Sequence, residues 1–414
     1  MNDICFPPQN TLLSAEQALS RIQQTLAPIA TIESVELSSA LGRILATDVF
    51  ASIDMPPQPN AAMDGYAFAA AGLCGDAEFS LRVVGTAWAG KPFTGSLAHG
   101  ECVRIFTGAV VPETADSVVA QEQTRVEADR VYLPAPCLFQ KNIRSAGSDF
   151  KRQERLIAAP KKLSPRDISL LAAAGISTVE VKSRLRIGYF STGDELAPLG
   201  SALAIGQIYD SNRYLLAALL EDPNFIANDL GVVKDDPVAL EAMLVQAAAQ
   251  HDALISTGGA SVGDADYVKQ ILEKCGQVHF WKLAIKPGKP LAFGKIRDCW
   301  FFGLPGNPIA VLVTYNKFVK PGLDRLLGAS PAKTLQISAR SDSDLRKVPG
   351  RSEYQRGVLR QLDNGEFAVT AAGTQDSHQL KVASVANCFI VLSAECDGVK
   401  RGDWVLVEPF SLDL

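Results

Sequence analysis

The sequence predicts a multidomain protein of the α/β class. Three observations carry this. A chain of 414 residues exceeds what a single hydrophobic core usually organises. Between about 185 and 327, short apolar runs alternate with stretches of helix length, the βαβ pattern of a mainly parallel sheet. On both sides, from about 50 to 143 and after 330, the texture changes to short β-like runs punctuated by Gly and Pro.

Taken in order, residues 1 to 49 open with a helix: Ser14 caps an amphipathic stretch that runs through Leu26 until Pro28 interferes. The runs FSLRVVGTAW, ECVRIFTGAVV, SVVAQEQTRVE and RVYLPA then read as a small β-rich insertion. KKLSPRDISLLAAAG returns to helix, with Ser164 as N-cap and Pro165 at the first helical position. The simplest arrangement packs this helix on the N-terminal one and loops the β-rich part out between them. LRIGYFS, DLGVVKD, DALIS and CWFFGLP are the strands of the α/β segment; NRYLLAALLED, VALEAMLVQAAAQ, DYVKQILEKC and IAVLVTYNKFV are its helices. LQISAR, GVLRQL, EFAVTAA, CFIVLS and WVLVEP form a small all-β region with no convincing helix.

Composition narrows the function. Hydrophobic residues make up 47% and charged residues 21%, an ordinary globular balance. A net charge of -5 argues against a general nucleic-acid or membrane-surface binder, which needs a basic field. Apolar runs such as LLAAAGI and FIVLSA are far too short to span a bilayer. The start MNDICFPPQN shows no secretory pattern, so the expected location is the cytoplasm. The eight cysteines are scattered with no CxxC pair, which excludes a zinc ribbon and predicts reduced thiols. Four scattered histidines give little support to a His-based metal site or triad.

In an open α/β sheet, ligands bind beyond the carboxyl ends of the strands. LRIGYFS ends in TGDEL, DLGVV in KDDP, DALIS in TGGASVGDADY and CWFFGLP in GNP. Glycine-rich turns and the carboxylates Asp194, Glu195, Asp235, Asp236, Asp264 and Asp266 therefore converge on one edge. The TGGASVGDADY glycines let backbone N–H groups approach an anion. The segment is neither a Walker A loop nor GxGxxG. Hard oxygen ligands suit Mg²⁺, which takes one or two carboxylates with substrate phosphate oxygens; Asp236, before Pro237, also fits a helix cap. Downstream, WKLAIKPGKP carries Lys282, Lys286 and Lys289 on a backbone stiffened by proline, a positioned anion site. RKVPGRSEYQR adds Arg346, Lys347, Arg351 and Arg356, whose forks suit tetrahedral oxyanions. In the insertion, MDGYA presents Asp64 and FTGAVVP presents Thr107; each alone reads as turn chemistry.

Together these segments resemble the molybdopterin molybdotransferase family, to which bacterial MoeA and the gephyrin E domain belong. The matching stretches are PNAAMDGYA, RIFTGAVVP, STGDEL, YDSNRY, DDP, STGGASVGDADY, WKLAIKPGKP, GLPGNP and GRSEYQRG, in family order from about residue 56 to 357. The resemblance implies a discontinuous helical domain (1–49 and 144–184), a β-rich insertion (50–143), a molybdopterin-binding-type α/β sandwich (185–329) and a C-terminal β-barrel (330–414). It implies an Mg²⁺-dependent transferase, a homodimer, that joins adenylylated molybdopterin with molybdate and releases AMP. The molybdopterin adenylyltransferase and acceptor molybdoenzymes are its implied partners. Functional positions fall by motif match on Asp64, Thr107, Glu195, Asp235, Asp266, Lys282, Lys286, Pro305 and Pro308, with Arg351 or Arg356 and Ser377 in the last domain. Glu195, Asp235 and Asp266 are the implied Mg²⁺ carboxylates. Gly258, Gly259, Ser261 and Gly263 form the implied phosphate loop, and Lys286, Ser377 and an arginine the molybdate site.

The chain departs from the family pattern at Ala61, Thr114, Ala260 and Asp376; the last puts an acidic group next to Ser377. Two other readings compete. Adenylylation of molybdopterin would leave the insertion and the β-domain unexplained. A receptor-clustering scaffold would use an extra domain and a long linker that this sequence lacks.

Overall fold

A computed structural model describes residues 12–28, 31–70, 78–133, 142–234, 236–258, 271, 274–330 and 333–410. The chain divides into two compact units. One comprises Met1–Glu33, Gly42–Ile44 and Val181–Leu414; the other comprises Ser34–Leu41 and Leu45–Glu180.

The first unit is built on a seven-stranded sheet. Its parallel centre runs Phe225–Val233, Leu185–Thr192, Ala253–Thr257 and Cys299–Leu304, flanked by the antiparallel strand Pro290–Ile296, then by Gly276–Leu283, which again runs with the centre, and by the short strand Leu12–Leu13. The alternation of side chains explains why these runs are apolar throughout. Ile187, Tyr189, Ala253, Ile255, Phe302 and Leu304 enter a core on one face. Phe190, Leu254 and Phe301 enter a second core on the other face, with Leu240 and Leu244 of the helix Pro237–Ala248. A sheet covered on both faces has no polar side to present. The helices Ser211–Leu219, Pro237–Ala248 and Pro308–Thr314 follow three of the four central strands, as the alternation predicts. The helix expected over DYVKQILEKC falls largely outside the described residues. The strands Gly276–Leu283 and Pro290–Ile296 are an addition to the expected plan.

After Pro308–Thr314 the helix continues through a π-helical turn, Tyr315–Val319, into Lys320–Leu327. Pro321 lies at the start of this last segment and has no N–H to give to the preceding turn, which accounts for the widening there.

The N-terminal helix Ala15–Thr25 starts at Ser14 with a reciprocal capping box, Ser14 with Gln17. It buries Ala18 and Ile22, and Leu26 at its C-cap, in the first core of the sheet, against the Lys320–Leu327 helix. The second capped helix, Pro165–Ala173, belongs to the other unit and lies against the Leu37–Ser39 turn and the Arg155–Ile157 strand. Each amphipathic stripe finds its apolar partner within its own unit.

The C-terminal part of the first unit is a closed five-stranded barrel. Its strands run Ser352–Gln361, Phe367–Ala371, Ile337–Ser341, Trp404–Pro409, Cys388–Leu392 and back to the first. Ala339, Leu359, Val369, Ile390 and Val407 fill its interior. One short helix, Leu380–Val385, corrects the helix-free expectation for this region. Ile285–Lys286 pairs in parallel with Ser352–Glu353, which ties the KPGKP segment to the barrel.

The second unit centres on a six-stranded sheet, ordered Arg125–Glu127, Arg130–Leu133, Phe79–Ala87, Glu101–Ile105, Gly65–Phe68 and Ser117–Ala120. These are the β-like runs of the insertion. Among the described residues, no helix is long and apolar enough to cross a membrane.

Candidate functional site

Two adjoining cavities lie at the carboxyl ends of the α/β strands and share Gly258, Gly306 and Asn307. The backbone explains the presence of Gly258. Its φ is +84°, and a Cβ there would sit 2.6 Å from the Thr192 carbonyl oxygen. Only glycine lets the end of the Ala253–Thr257 strand approach the end of Leu185–Thr192 so closely.

The first cavity, about 540 Å³, is lined by Lys286, Lys289, Arg351, Ser377, Pro305 and Gln375 among others, with Asp376 also on its wall. The KPGKP turn supplies two of its three cations. Gly288, at φ +109°, lets the turn close over Thr314, whose Cγ2 would be 2.8 Å from a Cβ. Leu283 N–H donates to the Lys289 carbonyl across the turn at 2.6 Å. Lys286 is half exposed and its Nζ donates to the buried Glu353 carboxylate at 3.3 Å. Glu353 also accepts from Gln355 Nε2 at 3.0 Å. Lys286 is thereby aimed by a buried partner and keeps donors free for a ligand.

The second cavity, about 480 Å³, is lined by Glu195, Tyr209, Ser211, Asn212, Pro308 and His378 among others. A buried polar network holds its floor. Ser191 Oγ lies 2.9 Å from Thr257 Oγ1 and donates to Asp210 Oδ1 at 3.1 Å. Asp210 caps the helix Ser211–Leu219 through the Arg213 N–H and pairs with the Arg213 guanidinium at 3.1 Å. Asn212 Nδ2 donates to the Gly306 carbonyl at 2.7 Å, joining two strand-end turns. Asp210 is thus charge-balanced by the protein, whereas Glu195 is exposed.

The sites anticipated from sequence distribute as follows. Lys286, Pro305, Arg351, Ser377 and Gly258 share the first cavity; Glu195, Pro308 and again Gly258 share the second. Lys282, on the Gly276–Leu283 strand, is not among the residues lining either cavity. Asp235, Gly259, Ser261, Gly263 and Asp266 lie outside the described residues. Asp236 takes the capping role open to it, accepting from the Val238 N–H at 3.0 Å. Among the described residues, no group of three His, Cys, Asp or Glu side chains is placed to hold a metal ion.

The two arginines differ in burial. Arg356 is 1% exposed. Its Nη1 donates to the Gln375 carbonyl at 3.2 Å, and its Nη2 to the Thr374 and Asp376 carbonyls at 3.0 Å each. Burial pulls this guanidinium below its ordinary pKa while nearby Asp376 opposes the shift. Arg356 is a positioning residue for the 374–376 wall, and Arg351 is the cation that faces the cavity. The Ile309 N–H donates to the Ser377 carbonyl at 3.3 Å, so the same wall is joined to a helix start.

Asp64 and Thr107 belong to the other unit, where they bind each other. Asp64 Oδ1 accepts the Thr107 N–H at 2.8 Å and the Thr107 hydroxyl at 2.7 Å. Those two bonds, with a contribution from Arg104, hold the Asp64 carboxyl below the usual carboxylate range.

Several lining residues escaped the sequence reading. Lys289 stood in the basic run but was not singled out as a binding residue; the KPGK spacing was its signal. Asp210 and Asn212 lie in the quoted YDSNRY stretch, at a helix start on the same sheet edge. His378 had no usable signal.

Three sequence profiles match the chain. They are described as the MoeA N-terminal region (domains I and II) over residues 13–175, a probable molybdopterin binding domain over 188–325, and the MoeA C-terminal region (domain IV) over 338–410. The molybdopterin molybdenumtransferase of Haemophilus influenzae is 40% identical over 405 residues, covering 97% of this chain and 99% of the relative. That of Nostoc sp. is 38% identical over 386 residues, covering 91% and 88%. The crystal structure of the molybdopterin biosynthesis MoeA protein from Pyrococcus horikoshii superposes with a TM-score of 0.84 at 27% identity, covering 97% of this chain and 100% of that one. Full-length identity and shared architecture agree: the chain belongs to the molybdopterin molybdenumtransferase family.

Proposed function

We propose that this chain inserts molybdenum, supplied as molybdate, into adenylylated molybdopterin and releases AMP. The observation that carries the reading is the first cavity. Lys286, Lys289 and Arg351 meet around it with the Ser377 hydroxyl, on a chain whose net charge is -5. Cations concentrated against the overall charge are what a small dianion needs. The adjoining cavity offers an apolar and hydrogen-bonding wall, Tyr209, Asn212 and Pro308, with Glu195 at its rim. A ligand that spans the shared Gly258 edge would place an anionic group in one cavity and an organic moiety in the other. The two dithiolene sulfurs of the substrate replace oxygen ligands of molybdate, which leave as water after protonation. Water opens the phosphoanhydride to give AMP. No protein nucleophile is required, which agrees with cysteines that are buried or half-buried among the described residues.

Mg²⁺ belongs to the same proposal. Asp210 and Asp236 are already committed to a guanidinium and to a helix cap, whereas Glu195 is exposed and lines the second cavity, which makes it the hard ligand of choice there. One carboxylate with phosphate oxygens suits the ion, and Asp235 and Asp266 are the further ligands that the family resemblance assigns. The ion would neutralise charge on the phosphoanhydride. Asp64, Thr107 and Lys282 are assigned to the site on the same resemblance. We place the protein in the cytoplasm as a homodimer, between the molybdopterin adenylyltransferase and acceptor molybdoenzymes. Leu199, Leu203, Ile205 and Ile208, all exposed within one short segment, support burial against a second copy.

The test is to mix the protein with adenylylated molybdopterin, molybdate and Mg²⁺ and to assay AMP and finished cofactor together. Stoichiometric appearance of both is expected. Consumption of ATP with unadenylylated molybdopterin, and no AMP from the adenylylated form, would replace this reading with adenylylation.

A further inference from the structure

The first cavity contains a charge that the role proposed for it does not explain. Three cations line it, Lys286, Lys289 and Arg351, and so does one carboxylate, Asp376. Three cations alone would take any small tetrahedral dianion, sulfate as readily as molybdate. An ionised carboxylate accepts hydrogen bonds and donates none, so beside a fully deprotonated oxyanion it only repels.

The surrounding backbone holds Asp376 in that place. Its carbonyl is turned to the interior, where it accepts from Arg356 Nη2 at 3.0 Å, and it also takes the Gln379 N–H at 3.4 Å. The next carbonyl, that of Ser377, is held by the Ile309 N–H. With the backbone tied down, the residue is exposed on the cavity wall. Among the described residues its carboxylate receives no hydrogen bond, and no ion pair joins it to Lys286, Lys289 or Arg351. The other carboxylate near the site differs, because Glu353 is buried and shared between Lys286 and Gln355. Charges of both signs, held apart around a cavity of about 540 Å³, suit a ligand that offers oxygen acceptors to the cations and an O–H to the carboxylate.

We propose that Asp376 makes this cavity select an oxyanion that carries a proton, so that molybdate enters as hydrogenmolybdate and sulfate is turned away. The proposal rests on the function proposed above for its ligand. The two dianions share charge and tetrahedral shape and differ in basicity, hydrogensulfate being a far stronger acid than hydrogenmolybdate. A site that demands the proton weakens both anions by the fraction that is protonated, and therefore costs sulfate more. The proton also has a use in the reaction. An oxo ligand needs two protons to leave as water, and hydrogenmolybdate arrives with the first.

The experiment is equilibrium dialysis of molybdate and of sulfate against the full chain, without pterin, between about pH 6 and 8. Wild type, Asp376→Asn and His378→Gln are compared. In wild type the affinity for molybdate should fall about tenfold for each unit of rising pH, as the protonated fraction does. Asp376→Asn keeps the shape and offers an N–H to a bare oxygen. It should flatten that slope and tighten sulfate about ten- to a hundredfold more than molybdate. Lysines and arginines ordinarily titrate above this range and carboxylates below it. A histidine can titrate within it, and His378 lines the adjoining cavity, so His378→Gln should leave the slope as it is. Asp376→Asn should unfold at the wild-type midpoint, since the carboxylate it replaces is exposed and unpartnered among the described residues. A flat molybdate profile in wild type would overturn the proposal. So would equal tightening of both anions in Asp376→Asn, the mark of plain repulsion, or a slope abolished by His378→Gln. If molybdate binds with the expected slope yet the protein releases no AMP, the selectivity stands and the transferase reading falls. If neither anion binds to wild type, both fall.

Discussion

Lys286 and Arg356 are both basic, both in quoted motifs, and do different work. Lys286 Nζ is half exposed at the first cavity with one partner, Glu353; Arg356 spends its guanidinium on three carbonyls in the interior. Lys286→Gln should therefore raise the molybdate concentration for half-maximal activity about ten- to a hundredfold, the loss of one charge-assisted contact. Stability should fall by no more than about 1 kcal/mol, because the pair it breaks is partly solvated. A molybdate titration at saturating pterin, alongside a denaturant melt, reads both. If pterin affinity collapses and the molybdate requirement holds, Lys286 serves the phosphate and not the oxyanion. Arg356→Gln should behave the other way, destabilising the protein by about 2–4 kcal/mol as buried carbonyls lose their donors. Its molybdate defect would follow from displacement of the Ser377 wall, and Arg356→Lys should rescue little, since a single ammonium cannot reproduce the fork. A stable Arg356→Gln variant would remove the positioning role. Both residues were legible as anion-binding types, but only their burial separates them, and burial is set by residues 374–376 folding back over the strand.

At the scale of elements, the caps were the most readable features. Ser14 and Ser164 each begin a helix with a reciprocal capping box, because a side chain that satisfies a first-turn N–H is a local device that needs no distant partner. Asp167, the third residue of the second helix, makes this box pH-sensitive. Burial alone would raise its pKa. The 2.6 Å bond from Lys161 and the bonds from the Ser164 N–H and hydroxyl outweigh it, and the pKa is lowered. A depressed carboxylate stabilises the fold above its unfolded pKa of about 3.9 and loses that contribution as pH falls through the lower, folded value. Asp167→Asn should cost about 1–2 kcal/mol at pH 7, and the gap to wild type should close below pH 4. Urea melts at stepped pH would show it; a gap independent of pH would assign the cost to packing. The strands Gly276–Leu283 and Pro290–Ile296 were less legible, because the prolines and lysines of the KPGKP turn mask the alternation on either side of it.

For the whole molecule, a homodimer at micromolar concentration is the expected outcome of sedimentation equilibrium, with the exposed apolar segment around Ile205 as a place to disturb it. Ile205→Asp should shift the distribution towards monomer; a wild-type monomer would count against a shared site. The sequence by itself determined the βαβ order, the two β-rich regions and the convergence of TGDEL, the Thr257–Gly258 strand end and GNP on one sheet edge. Hydrophobic period and turn chemistry are local, and a parallel sheet necessarily brings its strand ends together. Only the tertiary structure decided that the first helix packs into the sheet core, that Arg351 and not Arg356 faces the cavity, and that Lys289 joins Lys286 there. These outcomes depend on which surfaces compete for burial across more than a hundred residues of chain, and no local pattern records the winner.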